Sequence, residues 1–188
     1  PVRPVVCNLL RFYFPECKPF DLDYKNTPHG QEVKLWNGMG AFGSRYSLRY
    51  QRLLRENADA FGYGRVEALV PTLQGRVYLN RFSAADKQIT VVLNARPYPV
   101  GGPLVELALR KGRHCVDLLR GVELKPERQG QRWVVGERLE SSDIAVLADL
   151  PLLAQARVEG TRIHVTLPCL MPNLQVVLSD LDNQCLDE

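Results

Sequence analysis

The chain lacks most of the signatures that mark small enzymes and metal proteins. Its five cysteines, Cys7, Cys17, Cys115, Cys169 and Cys185, include no C-x-x-C pair. An odd count at wide spacing argues against a disulfide framework and against a cysteine zinc site. Histidine is scarce: there are three, His29, His114 and His164, and none falls in an H-E-x-x-H or related spacing. No G-x-S-x-G elbow occurs, so the serine-hydrolase pattern is missing as well. No apolar run approaches the ~18 residues of a membrane-spanning helix, and no signal-peptide pattern opens the chain. A large excess of charge of one sign is also missing. Twenty-four Lys and Arg face twenty-one Asp and Glu, for a net charge of +3, and they are dispersed. A nucleic-acid surface concentrates a larger excess on one element. Neither a nucleic acid nor a membrane is therefore expected as a partner.

What is present is a change of period part-way along the chain. Residues 1–44 read as irregular. Val5 to Phe14 is apolar and suits a strand or a buried helical turn, after which Pro15, Pro19 and Pro28 interrupt regularity. The stretch from Pro19 to Gly30 reads as a long loop, and Gln31 to Trp36 as a short helix. An amphipathic helix follows over about residues 45–61, with Ser44 as its cap. Tyr46, Tyr50, Leu53, Leu54, Asn57 and Phe61 share one side of it, while Arg45, Arg49, Arg52, Arg55 and Glu56 lie largely on the other. Gly62 suits its end. From Val66 the period becomes two. Arg76–Phe82 and Lys87–Leu93 form a hairpin pattern, Leu104–Leu109 and His114–Leu119 a second, and Val122–Leu124 with Gln131–Val135 a third. Ile144–Leu147 is a further strand, Ala156–Val158 and Arg162–Leu167 a tight hairpin, and Leu174–Leu178 a last strand. The expectation is a mainly β chain: an antiparallel β-sandwich with one N-terminal amphipathic helix and an irregular N-terminal segment. It divides into residues 1–64, read as the end of a preceding catalytic domain, and residues 65–188, the sandwich.

Candidate chemistry is thin. Asp21, Asp23 and His29 lie in the long loop, where carboxylates and an imidazole could line a site; as turn residues they would instead cap local backbone. Trp36, Tyr98 and Trp133 offer flat faces for stacking on sugars, although Trp133 sits in an alternating strand that suits the core. Asp23, His29, Trp36 and Tyr98 are retained as candidate binding residues, with no catalytic residue and no metal ligand assigned. Asp143 reads as a turn residue before its strand, and Cys115 as a small core residue. Gly38-Met-Gly40-Ala-Phe-Gly43 fits G-x-G-x-x-G, but that motif needs a parallel strand and a βαβ unit around it. No cofactor is expected.

Several segments together resemble a known family. Val77-Tyr-Leu-Asn80-Arg-Phe82, Ile89-Thr-Val-Val-Leu-Asn94, Cys115-Val-Asp117-Leu-Leu and Ile144-Ala-Val-Leu147 are similar to strands of the C-terminal β-sandwich of α-amylase-like and related TIM-barrel glycoside hydrolases. Tyr46-Ser-Leu-Arg-Tyr50-Gln-Arg-Leu-Leu54 and Asn57-Ala-Asp-Ala-Phe61 resemble the last barrel helix, and Asn37-Gly-Met-Gly40 the segment leading into it. The resemblance covers roughly residues 30–150. It implies a non-catalytic accessory domain that supports an upstream catalytic barrel of the same chain, whose carboxylates come from strand ends before this helix. Carbohydrate is then the implied ligand. The aromatic helix face needs a partner surface, supplied by the barrel or by a second copy in a homodimer. The alternatives are a stand-alone carbohydrate- or protein-binding β module, and a small enzyme built on the 19–30 loop.

Overall fold

The computed structural model describes residues 7–14, 16–22, 30–42, 48–62, 64–107, 112–151, 155–159 and 162–166. Chain order begins α1 (Leu10–Tyr13), β1 (Phe20–Leu22), α2 (Gly30–Trp36), β2 (Gly40–Phe42), α3 (Leu48–Glu56) and α4 (Ala58–Phe61). Strands β3 (Arg65–Glu67), β4 (Val77–Ser83), β5 (Gln88–Asn94), β6 (Pro103–Leu107), β7 (Arg113–Asp117) and β8 (Val122–Leu124) follow. Then come β9 (Glu127–Gln129), β10 (Arg132–Gly136), β11 (Ile144–Pro151), β12 (Gln155–Glu159) and β13 (Arg162–Thr166). The protein is mainly β, as its alternating segments require. Ser44, Tyr46 and the expected strand at 174–178 lie outside the described residues.

Two antiparallel sheets make the sandwich. The larger runs β3-β4-β5-β11-β7-β8 and the smaller β6-β10-β9. Period two places Val77, Leu79, Val92, Ala145, Leu147 and Cys115 on the face turned to the small sheet, where Val105, Leu107 and Val135 meet them. The opposite face carries Phe82, Ile89, Val91, Leu93, Ile144, Val146 and Ala148. It is covered by Leu35 and Trp36 of α2, Leu53 of α3, and Ala60 and Phe61 of α4. The molecule therefore has three layers, helices over a central sheet over a small sheet. The first core cluster draws residues from both sides of position 64.

Part of the helix face expected to need an external surface is covered within the chain. Phe61 is buried with its ring 4.8 Å from that of Phe82, and Leu53 and Ala60 are buried beside it. The helix itself is broken: α3 ends at Glu56 and α4 starts at Ala58. At the break the Leu53 carbonyl accepts twice from Asn57, from its backbone N–H at 3.2 Å and from its side-chain amide at 2.9 Å. Lys87 holds the break to the sheet, bonding Asn57 Oδ1 at 3.1 Å and Asp59 at 2.7 Å. Gly64 closes the join, because a Cβ there would strike the carbonyl oxygens of Ala60 and Ser83.

Two of the three long-strand hairpins also differ from expectation. β4 and β5 pair as read, Val77 opposite Asn94 through Ser83 opposite Gln88. However, β6 pairs with β10, and β7 with β8 and β11. The chain changes sheet between Leu107 and Arg113, so strands adjacent in sequence lie in different layers. Alternation assigns a residue to a face but does not choose a strand's partner. The irregular N-terminal segment is corrected too. β1 and β2 pair in parallel, Phe20 opposite Gly40 and Leu22 opposite Phe42, with α2 as the crossover between them.

Two asparagines pin the layers. Asn80, almost fully buried, accepts from Leu69 N at 2.9 Å and donates to the Trp36 carbonyl at 3.0 Å, tying the sheet to the end of α2. Asn94, fully buried, donates to the carbonyls of Tyr98 (3.0 Å) and Glu140 (2.8 Å) and accepts from Arg96 N (3.0 Å). Removing either amide leaves buried backbone groups unpaired. Asn80→Ala and Asn94→Ala should each lower unfolding free energy by about 2–3 kcal/mol. Urea denaturation followed by circular dichroism measures this, and a loss below 1 kcal/mol (~0.5 kcal/mol is ordinary for surface changes) would show that the pins are dispensable.

Candidate functional site

The parallel pair gives the N-terminal segment a direction. β1, α2, β2 and α3 follow one another as strand, helix, strand, helix. In such sheets ligands gather beyond the carboxyl ends of the strands, here Leu22 and Phe42. In chain order Asp23 follows Leu22 directly and His29 precedes α2; both lie outside the described residues. Asp21 is a strand residue, paired in register with Ala41.

The aromatic candidates do not form a common surface. Trp36 is fully buried in the last turn of α2, its ring 6.3 Å from Tyr78, so it offers no free face to a sugar. Tyr98 is exposed after β5, its ring 5.7 Å from the Arg96 guanidinium. Trp133 was the one expected in the core and is instead 37% exposed. It lies opposite Leu107, the last residue of β6, and so occupies the rim of the inter-sheet core.

A charged cluster that sequence reasoning missed lies where the sheets meet at one end. Asp117 ends β7, Glu137 follows β10, Asp143 precedes β11, and Arg120 lies in the turn before β8. The Arg120 guanidinium bonds Asp117 at 2.7 Å and Asp143 at 2.9 Å, and lies 3.4 Å from Glu137. Asp117 is fully buried and its other oxygen accepts from Leu119 N (2.7 Å) and Arg120 N (3.2 Å). Asp143 accepts from Ile144 N at 2.8 Å, so it does hold the start of its strand while also pairing with Arg120. Three carboxyl groups share one guanidinium. Burial, then the nearby Asp117 charge, pushes the Glu137 carboxyl up to about 7. The same surroundings affect Cys115, whose thiol burial raises to about 12, with the Asp149 charge adding to the effect. It is no nucleophile at neutral pH. The signal available in sequence was the run Asp117-Leu-Leu-Arg120-Gly121, with Gly121 in a positive-φ turn (φ 64°). Among the described residues no group of three metal-ligating side chains forms a metal site.

No protein-family model matches the chain, and no curated protein does. Matches come from solved structures. An α-amylase from Anoxybacillus is 13% identical at a TM-score of 0.42, over 55% of this chain and 21% of that one. A GH27 β-L-arabinopyranosidase from Geobacillus stearothermophilus is 10% identical at 0.47, over 65% and 29%. α-Galactosidase I from Mortierella vinacea is 9% identical at 0.45, over 68% and 36%. These three solved chains are glycoside hydrolases. The chain spans about a fifth to a third of their length.

Within the Arg120 cluster Asp117 has no exposed surface and 12% of the Glu137 side chain is exposed, while Arg120 and Asp143 keep 33% and 35% of theirs open. The cluster's chemistry is that of a proton-dependent clasp between the two sheets. The folded protein holds the Glu137 proton more tightly than the unfolded chain, whose carboxyl titrates near 4.5. That contribution is complete below pH 4.5 and is lost as pH rises through about 7. Stability should therefore fall across this window. Glu137→Gln should flatten the fall and raise stability at pH 8 by up to about 3 kcal/mol. Thermal unfolding at a series of pH values measures this, and parallel curves for the two proteins would refute it.

Proposed function

We propose that this chain is the closing section of a carbohydrate-active hydrolase, in which the sandwich supports a catalytic parallel-sheet domain and performs no chemistry. The observation that carries the reading is the β1–α2–β2–α3 unit set directly before the sandwich. Two parallel strands of three residues are not a self-sufficient sheet. Among the described residues no further strand pairs with them, and a β/α series continued upstream is the simplest supply of such strands. The sequence resemblance to α-amylase-like glycoside hydrolases names that series as a barrel. In this arrangement Asp23 and His29 follow the carboxyl end of β1, the side on which barrel loops line the cleft. They act there as binding residues, while the catalytic carboxylates belong to earlier strands.

The helical layer gives the sandwich its supporting role. α2, α3 and α4 bury Leu35, Trp36, Leu53, Ala60 and Phe61 on the central sheet, so the last repeats of the catalytic domain rest on the sandwich. A stand-alone sugar-binding module would instead align exposed aromatics on one face. On the sandwich, among the described residues, Tyr78, Tyr98 and Trp133 lie on β4, on the loop after β5 and at the rim of β10, and the exposed Phe12, Tyr13 and Phe14 lie around α1, outside the sandwich.

The test is made on the full polypeptide encoded with this chain. It should hydrolyse members of a panel of aryl glycosides and oligosaccharides, while residues 1–188 alone should not. Ending the polypeptide at residue 64 should abolish soluble, active enzyme, because Leu35, Trp36, Leu53 and Phe61 would lose their cover. A folded, fully active truncation would remove the supporting role. Asp23→Ala should raise KM with little change in kcat, and an unchanged KM would take the 19–30 loop out of the cleft.

A further inference from the structure

The most enclosed of the described arginines lacks the partner that the others have. Arg113 meets Asp149 at 2.8 Å, Arg81 meets Glu67 at 3.4 Å and Arg120 meets Asp117 at 2.7 Å. Arg11, on α1, is 2% exposed and has no carboxylate beside it among the described residues. Its Nη1 donates to the Gly38 carbonyl at 3.3 Å, while Nε and Nη2 are buried and bond none of the described residues. Those two nitrogens are the adjacent pair whose N–H groups point the same way. They form the fork that takes both oxygens of a carboxylate. The group keeps its charge at neutral pH even here, although burial lowers its pKa.

The surroundings are shaped to admit this guanidinium. Gly38 has φ 63°, and a Cβ there would come within 2.9 Å of Arg11 Nη1 and 2.7 Å of the Phe82 ring. The centre of that ring lies 5.7 Å from the guanidinium carbon. Asn8 N donates to Asn37 Oδ1 at 2.7 Å, and the Cys7 thiol donates to Asn80 Oδ1 at 3.8 Å. The segment carrying Arg11 is thus seated on the turn after α2 and on the central sheet. A methionine would fill the same space without burying a charge. An enclosed charge with no counter-charge is costly to a fold, and groups of this kind concentrate at functional sites.

We propose that Arg11 is the recognition residue of a carboxylate site beneath α1, with one carboxylate held on Nε and Nη2. A single guanidinium balances a single negative charge, which suits a carboxylate and not a phosphate dianion. Because both nitrogens are enclosed, the carboxylate enters as α1 lifts or comes in as the polypeptide folds. α1 is one turn long, and Phe12, Tyr13 and Phe14 lie outside both core clusters, so lifting it uncovers the fork without unpacking the sandwich. The source is a free organic acid, or an Asp or Glu side chain elsewhere in the full polypeptide. The site stands independently of the hydrolase reading.

The Arg11 Nε–H signal in a proton–nitrogen NMR spectrum reads the fork directly, with acetate as the probe and chloride as the ionic control. With a free acid as the source, acetate should move that signal downfield, saturably, in residues 1–188 and raise their Tm. Arg11→Lys, which offers no fork, should weaken the acetate response about tenfold or more, and Arg11→Met should abolish it. With a side chain as the source, acetate should leave residues 1–188 unchanged, and the signal should already stand downfield in the full polypeptide. Arg11→Met should then lower the Tm of the full polypeptide while raising that of residues 1–188. Either pattern supports the site and assigns its source. One unchanged Nε–H signal in residues 1–188, with acetate and in the full polypeptide overturns the site, and these wild-type spectra decide it even where a variant does not fold. An equal shift with inorganic phosphate overturns the carboxylate as the ligand class. An acetate response that survives Arg11→Met overturns Arg11 as the residue.

Discussion

Strand β5 has no side to turn to water. From Ile89 to Asn94 every residue is buried: Ile89, Val91 and Leu93 against the helices, Thr90, Val92 and Asn94 toward the small sheet. β11, its neighbour, is the same from Ile144 to Asp149. A pair of strands that is apolar on both faces is stable only when both faces are covered. Each burial of a Val, Leu or Ile there contributes about 1.5–3 kcal/mol, and the share on either face is lost with the cover of that face. The three-layer order follows from this constraint, and so does the dependence of the helices on a sheet far from them in sequence.

Several polar side chains enter this interior where the chain passes between layers and are bonded there. Asn80 sits where the sheet meets α2, Asn94 where β5 leaves toward the small sheet, and Arg120 with its carboxylates where the two sheets meet at one end. Within a low-dielectric interior such groups are stabilising when satisfied and costly when not. The motif residues that first suggested a family, Asn80, Asn94 and Asp117, turn out to be these fastenings. They carry fold information and no catalytic information.

Much of the sandwich was legible because period two is a strong local signal. The strands from Val77 to Asn94 and at Ile144, and the short helix ending at Trp36, stand where their patterns place them. What was not legible depends on distance. Nothing in Leu104–Leu107 tells that its partner is Val135 and not Cys115, because both are small apolar residues at alternating positions. Trp36 and Trp133 exchanged roles for the same reason: exposure was decided by what lies over each ring. The break at Asn57 is the opposite case, a local signal hidden inside a convincing helical face. β1 and β2 escaped notice since three residues are too few for any period to show.

The place of β11 between β5 and β7 has a consequence during synthesis. Some fifty residues separate the end of β5 from the start of β11, so the ribosome completes β5 well before the strand that will sit beside it exists. Until then Ile89-Thr-Val-Val-Leu93 is an uncharged, proline-free sheet edge with apolar side chains on one face and an incomplete cover on the other. Such an edge is a template for any other extended chain nearby. A nascent or prematurely ended polypeptide that stops before Ile144 is thus the form of this protein most prone to aggregate, and the chaperones that meet it early have the β5 edge to shield.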